Sequence, residues 1–293
     1  MGQRLRRFGG ATPGGSWEAI FATPDPRLKR AILGDYQGWV EHGSKPVLRR
    51  HLPNVMVPVI INLGPLWQVT SPALAGGKEV TIDSFLAGMH DRFATSYSSG
   101  NSCCIQVNFT PLGAYRLFGL PMAELTNTIV GFTELLGAEA DRLITRLREN
   151  GDWAARFAIL EDFLLRRLAA GREGRREIAF VLRQLEKSAG ALPIGDLAAT
   201  IGWSRKKLIH SFQRETGLAP KGIGRIYRLN RMLSLLHGIG QQSGDRVSLA
   251  ELAHESGYYD QAHFNRDFRS FAGVTPGDYL AEIAPDVLRG PAN

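Results

Sequence analysis

The stretch GYYDQAHFNRDFRSFAGVTP, residues 257–276, decides how the C-terminal third of this chain is read. Gly257 stands where one helix must end, because a glycine enters the left-handed cap without steric cost. Asp260 is a natural N-cap for the helix that follows. Phe264 and Phe268 lie four apart and form one apolar stripe, so Gln261, His263, Asn265 and Arg266 fall on the free face. A short helix, a glycine turn and a capped second helix together make a helix-turn-helix.

The same pattern stands upstream as GWSRKKLIHSFQRETGLAP, residues 202–220. Leu197, Ala198 and Gly202 match Leu252, Ala253 and Gly257 at an offset of 55. Leu208, Phe212, Gly217 and Pro220 match Phe264, Phe268, Gly273 and Pro276 at an offset of 56. The second copy has therefore gained one residue between Gly257 and Phe264. Ser204 takes the capping place in the first copy, and Arg205, Lys206, Lys207, His210 and Arg214 form the free face. Long donors of these types supply most direct readout of base edges. Ser204, Arg225 and Arg228 are expected to meet phosphates. A solvated polar face would account for any one charged run, but not for a duplication with glycine turns in both copies.

The chain has 293 residues, enough for two domains with separate cores, and a formal net charge of +7. That charge clusters: residues 203–231 hold eight Lys or Arg and one acid. A basic cluster of this kind suits a polyanionic partner. The two cysteines, Cys103 and Cys104, are adjacent and lie in no metal-binding or redox spacing, so they read as reduced strand thiols in a cytoplasmic protein. Apolar runs fall short of the ~20 residues of a membrane helix.

Working further outward, residues 1–16 are rich in Gly and Arg and read as a disordered tail. Residues 17–120 break into short β-branched runs, among them Val55–Leu63 and Cys103–Phe109, and predict a small β-sandwich or barrel. Residues 121–174 read as two amphipathic helices joined at Asn150-Gly151-Asp152, followed by a Gly/Arg linker. Residues 175–285 are helical throughout, and 286–293 read as a tail. The fold class is α+β, with a β-domain and helical extension ahead of an all-α domain. Trp39, Trp67 and Tyr97 are candidates to line an effector pocket, although strand aromatics also build plain cores. The helices within 131–170 leave two roles open, a relay between the domains or a homodimer contact.

The second copy, from Gly257 to Phe268 and on through Gly273, Pro276 and Tyr279, resembles the signature of the AraC/XylS family of transcription regulators. The resemblance spans residues 175–284. It implies two helix-turn-helix units joined by a long helix near 220–237, each sending its second helix into a major groove of operator DNA. By position, Lys206 and His210 would read bases in the first site. Gln261, Ala262 and Arg266 occupy the corresponding face of the second, with His263 beside them. Ala262 departs from the commoner small polar residue and offers apolar contact only. The second unit, 245–282, carries seven acids against three arginines, so its grip is expected to be the weaker. More loosely, Tyr36–Trp39, Arg49–Pro53 and Phe109–Gly119 resemble a cupin-like sensor domain. That resemblance implies a small-molecule effector, and RNA polymerase as a partner if the protein activates.

Enzyme chemistry finds no support: the chain has no GxSxG, P-loop or GxGxxG, and no HxH or HExxH for a metal. Neither cofactor nor metal is expected. Two other readings stand beside regulation. One is an alkyl-transfer repair enzyme docked on DNA, which would need an activated cysteine. The other is an architectural DNA-binding protein.

Overall fold

The structure, a computed structural model, describes residues 5–12, 14–71, 79–240 and 249–283. It opens with antiparallel strands β1 (Arg6–Thr12), β2 (Gly15–Ala22), β3 (Tyr36–Gly43), β4 (Val47–His51), β5 (Val57–Asn62) and β6 (Trp67–Thr70). There follow β7 (Val80–Ile82), β8 (Phe85–Ala87), β9 (Ala94–Ser98), β10 (Asn101–Phe109) and β11 (Ile129–Gly131). They form a seven-stranded sheet in the order β1-β2-β3-β10-β5-β8-β11 and a four-stranded sheet in the order β4-β9-β6-β7.

Alternation of side chains makes these sheets a sandwich with a helical third layer. In β3, Tyr36 is buried and stacks on Phe157 with ring centroids 5.9 Å apart. Its neighbours Gln37 and Trp39 turn to the opposite face, toward the four-stranded sheet. In β10, Ile105 and Val107 join the core while Cys104 and Gln106 face the gap between sheets. The helices are α1 (Pro111–Phe118), α2 (Phe132–Leu136), α3 (Ala138–Glu149) and α4 (Trp153–Ala170). Asp152 caps α4 by accepting from the Ala155 amide at 2.9 Å. Trp153, Phe157, Leu160, Phe163, Leu164 and Leu168 of α4 are buried, each worth about 1.5–3 kcal/mol relative to exposure.

Two sequence expectations need correction. Residues 6–12 pair with residues 15–21 as a hairpin at the sheet edge, so the expected tail is ordered over most of its length. Its strand character was masked because the Gly9-Gly10 pair is poor in β-propensity and only the partner strand orders it. The β-domain also runs past residue 120, since Ile129–Gly131 adds an edge strand beside β8. The expected Gly/Arg linker is non-helical over 171–175 and is held at two points. Arg116 pairs with Glu173 at 3.2 Å, and the Arg175 amide donates to buried Glu215 at 2.8 Å. The apolar stripes of α3 and α4 are buried within this chain's own core.

The C-terminal domain comprises α5 (Arg176–Lys187), α6 (Ile194–Thr200), α7 (Arg205–Thr216), α8 (Pro220–Gly240), α9 (Leu249–Glu255), α10 (Gln261–Ala272) and α11 (Pro276–Ile283). The helix expected near 220–237 is α8. The tail expected over 286–293 lies outside the described residues. Leu208, Phe212, Phe264 and Phe268 are fully buried, so the duplicated stripe is the core of each unit.

Candidate nucleic-acid interface and effector pocket

Two helices, α7 and α10, hold the candidate reading residues. Gly202 and Gly257 turn the chain ahead of them with φ of 67° and 82°, conformations a side chain would strain. Ser204 accepts from the Lys207 amide at 3.2 Å, and Asp260 from the His263 amide at 2.6 Å. Each cap satisfies an amide that the first helical turn would otherwise leave unpaired. Arg205, Lys206, Lys207, His210 and Arg214 are exposed on α7, as are Gln261, Ala262, Asn265 and Arg266 on α10. His263 is half-buried, edge-on to Tyr258, and 3.9 Å from Asp267. The structure thus brings together on each free face the side chains that the sequence placed there.

The expected phosphate contacts on α8 stand differently. Arg225 makes two hydrogen bonds to Asp267 at 3.0 and 3.2 Å and one to Ser270 at 2.9 Å, and its guanidinium lies over Phe271. Arg228 reaches the Gly190 carbonyl at 3.5 Å and lies over the Tyr258 ring. Arg225 thus ties α8 to α10, and Arg228 ties it to the turn at Gly190 and to Tyr258 ahead of α10. Sequence reasoning placed them at phosphate because a cationic helix reads the same whether its charges meet DNA or a carboxylate across a fold.

The second site lies between the sheets. A cavity of about 390 Å³ is lined by both, with Trp39, Phe21 and Phe85 on one wall and Trp67, Arg49 and Ser96 on the other. Its size suits a small organic molecule. Trp39 and Trp67 line it as expected; Tyr97 does not. Tyr97 follows inward Ser96 on β9, so the two-residue period turns it outward, where it is 38% exposed. Sequence reasoning missed Arg49, His51, Asn54 and His90 in the lining. Arg49 is held by two hydrogen bonds to Glu41, at 2.8 and 2.9 Å. His90 rests Nδ1 on the Gly88 carbonyl oxygen, and burial pushes its pKa down. His51 meets the Ser96 hydroxyl at 2.8 Å.

The cavity wall continues into the contact with the C-terminal helical domain. Asn54, which lines the cavity, accepts from Asn230 of α8 at 2.8 Å. Arg50, between the lining residues Arg49 and His51, donates to the Ala272 carbonyl at 2.6 Å, in the last turn of α10. Phe93, between lining Arg92 and Ala94, sits where a side chain at Gly273 would stand, 2.4 Å from the position of its Cβ. At α7, Thr126 donates to the Gly217 carbonyl at 2.8 Å.

The thiols bear on the repair-enzyme reading. Both cysteines are free. Burial pushes Cys104 up to about 12 and raises Cys103 as well. A thiol shifted this way is a poor nucleophile at neutral pH. Among the described residues no group of His, Cys, Asp and Glu is placed to hold a metal, and no helix is long and apolar enough to cross a membrane.

Comparison with known proteins divides the chain along the same lines. Residues 197–282 match a family described as a helix-turn-helix domain, and residues 21–131 match a domain of unknown function, DUF6597. The Msm operon regulatory protein of Streptococcus mutans is 24% identical over 128 residues, 43% of this chain and 44% of its own. The transcriptional activator RhrA of Rhizobium meliloti is 32% identical over 89 residues, 30% of this chain and 27% of its own. The chain thus spans less than half the length of the curated relatives it matches. Among solved structures, ToxT of Vibrio cholerae O395 aligns over 87% of this chain and 98% of its own, at 14% identity and a TM-score of 0.47.

Proposed function

We propose that this chain, whose C-terminal third is a helix-turn-helix domain of the AraC/XylS type, is a sequence-specific DNA-binding transcription regulator. The observation that carries this reading is the pair α7 and α10. Each buries a two-residue aromatic or aliphatic stripe behind a capped N-terminus and leaves base-reading side chains exposed. Two such helices read adjacent major-groove segments of one duplex, which requires recognition elements roughly one helical turn, about 10 bp, apart. The test is selection by the full chain from a pool of randomised duplexes. Enrichment of two short elements at that spacing is the expected result. Recovery of unselected sequence would instead favour an architectural protein.

The regulator responds to a small organic effector held between the sheets. Asn54 supports this, because it touches both the cavity and α8, so a ligand that favours one placement of the wall favours one placement of the reading domain. Among the described residues the lining includes Arg49 and Arg92 and no carboxylate, which disfavours a cationic effector. The protein acts in the cytoplasm, meets RNA polymerase where it activates, and self-association would pair two reading domains on one operator. Transcription from a promoter bearing the selected element, compared for the full chain and residues 175–293 across candidate metabolites, tests the sensor. Identical responses of both proteins to every compound would remove it.

A further inference from the structure

Backbone hydrogen bonds identify which residue the second copy gained. In the first unit the Trp203 amide donates to the Ala198 carbonyl, and Ser204 follows at once as the cap of α7. In the second, the Tyr258 amide donates to the Ala253 carbonyl, which makes Tyr258 the counterpart of Trp203. The cap is Asp260. Tyr259 stands between them without a counterpart, so it is the inserted residue.

The two neighbouring tyrosines are placed in opposite ways. Tyr258 is 3% exposed, while Tyr259 is 91% exposed, far above any other large apolar side chain among the described residues. The ring of Tyr259 makes no aromatic contact and its hydroxyl no hydrogen bond among those residues. It contributes nothing to the packing of the unit. It sits directly before the cap of a helix whose next exposed residues are Gln261, Ala262, Asn265 and Arg266. A reading helix meets base edges with its N-terminal residues, so the residue ahead of its cap comes to the rim of the groove, where sugars and phosphates run.

The second unit also has the greater need of such a contact. The exposed cations of α10 are Arg266 and Arg269, against Arg205, Lys206, Lys207 and Arg214 on α7. We propose that Tyr259 grips the DNA backbone at the edge of the groove read by α10. Its hydroxyl donates to a phosphate oxygen, and its ring covers a deoxyribose. This assignment rests on the regulator reading above.

Its test uses the full chain with duplexes that the full chain has selected, and with random duplexes. Tyr259→Phe is expected to weaken binding roughly threefold, and Tyr259→Ala roughly tenfold, on both DNA classes alike. The slope of log affinity against log salt should stay unchanged, because an uncharged donor releases no counterion, whereas loss of a cation that neutralises a phosphate flattens it by about one ion. Melting temperatures should not move, since the side chain is exposed. Wild-type affinity in Tyr259→Ala, with sequence selection and the Lys206→Ala loss intact, would overturn the assignment and leave the regulator standing. A loss confined to one base position would overturn it too, making Tyr259 a base reader. If the wild-type chain selects no sequence and Lys206→Ala changes nothing, both readings fall together.

Discussion

The two helix-turn-helix units share a scaffold and differ in what they present and in how they are held. α7 presents four exposed cations, while α10 presents mainly amides and Ala262 with two arginines. The back of α7 packs against α1 and the 122–125 turn of the β-domain, and Arg175 holds it through Ser211 at 2.7 Å. α10 is fastened by Arg225 within its own domain and meets the β-domain at its C-terminal end, through Arg50. The duplication kept the buried stripe, where a change costs several kcal/mol, and diverged on the exposed face, where most substitutions cost little. The first unit therefore presents charge, and the second presents directional donors.

The largest effect separates scaffold from face. Phe212→Ala should destabilise the first unit by roughly 3–5 kcal/mol, since it empties a fully buried site. Chemical denaturation read on α5–α7 amides checks it; a loss below about 1 kcal/mol would mean the stripe is not the core. Arg225→Ala comes next, at roughly 2–3 kcal/mol, because Asp267, mostly buried, loses both hydrogen bonds from Arg225. That loss should appear in the melting of the free protein. An undiminished melting temperature with weaker DNA binding would restore Arg225 to a phosphate.

Replacing reading residues sharpens the comparison itself. Lys206→Ala and Arg266→Ala should each cost roughly 1–3 kcal/mol on selected DNA if they touch bases. Competition against random duplexes should show that loss is greater on the selected sequence for both. Equal losses on both classes would mean the reading faces are misplaced. Smallest is Arg50→Ala, where the hydrogen bond to the end of α10 by itself contributes about 1 kcal/mol. Hydrogen exchange should quicken at the end of α10 and leave α7 unchanged. Equal quickening of both helices would show that the β-domain holds the two units as one.

Little of the pocket was legible beforehand. β4 puts Leu48 outward, 69% exposed, and Arg49 inward, the reverse of what hydrophobicity alone suggests. Leu48 pairs with outward Tyr97 across the sheet, and Arg49 is turned inward with Glu41 as partner. A strand's period says which residues share a side but not which side faces the gap. The two tryptophans were found because bulk suits either side of a cavity wall, whereas Tyr97 was assigned by residue type alone.

What the sequence determined by itself was the duplicated domain, including its turns, caps, buried stripes and free faces. Each of these follows from φ preference and helical period within about twenty residues, and needs no knowledge of distant contacts. It also showed that one residue had been gained, though not which one. Tertiary structure decided the rest. It ordered Arg6–Thr12 through pairing with β2, paired Arg225 with Asp267, turned Arg49 into the cavity and Tyr97 out of it, and left Tyr259 in solvent. In each case the outcome depended on a partner or packing surface that the local sequence does not specify. A donor or a strand carries no record of which of several suitable partners the fold will bring within reach.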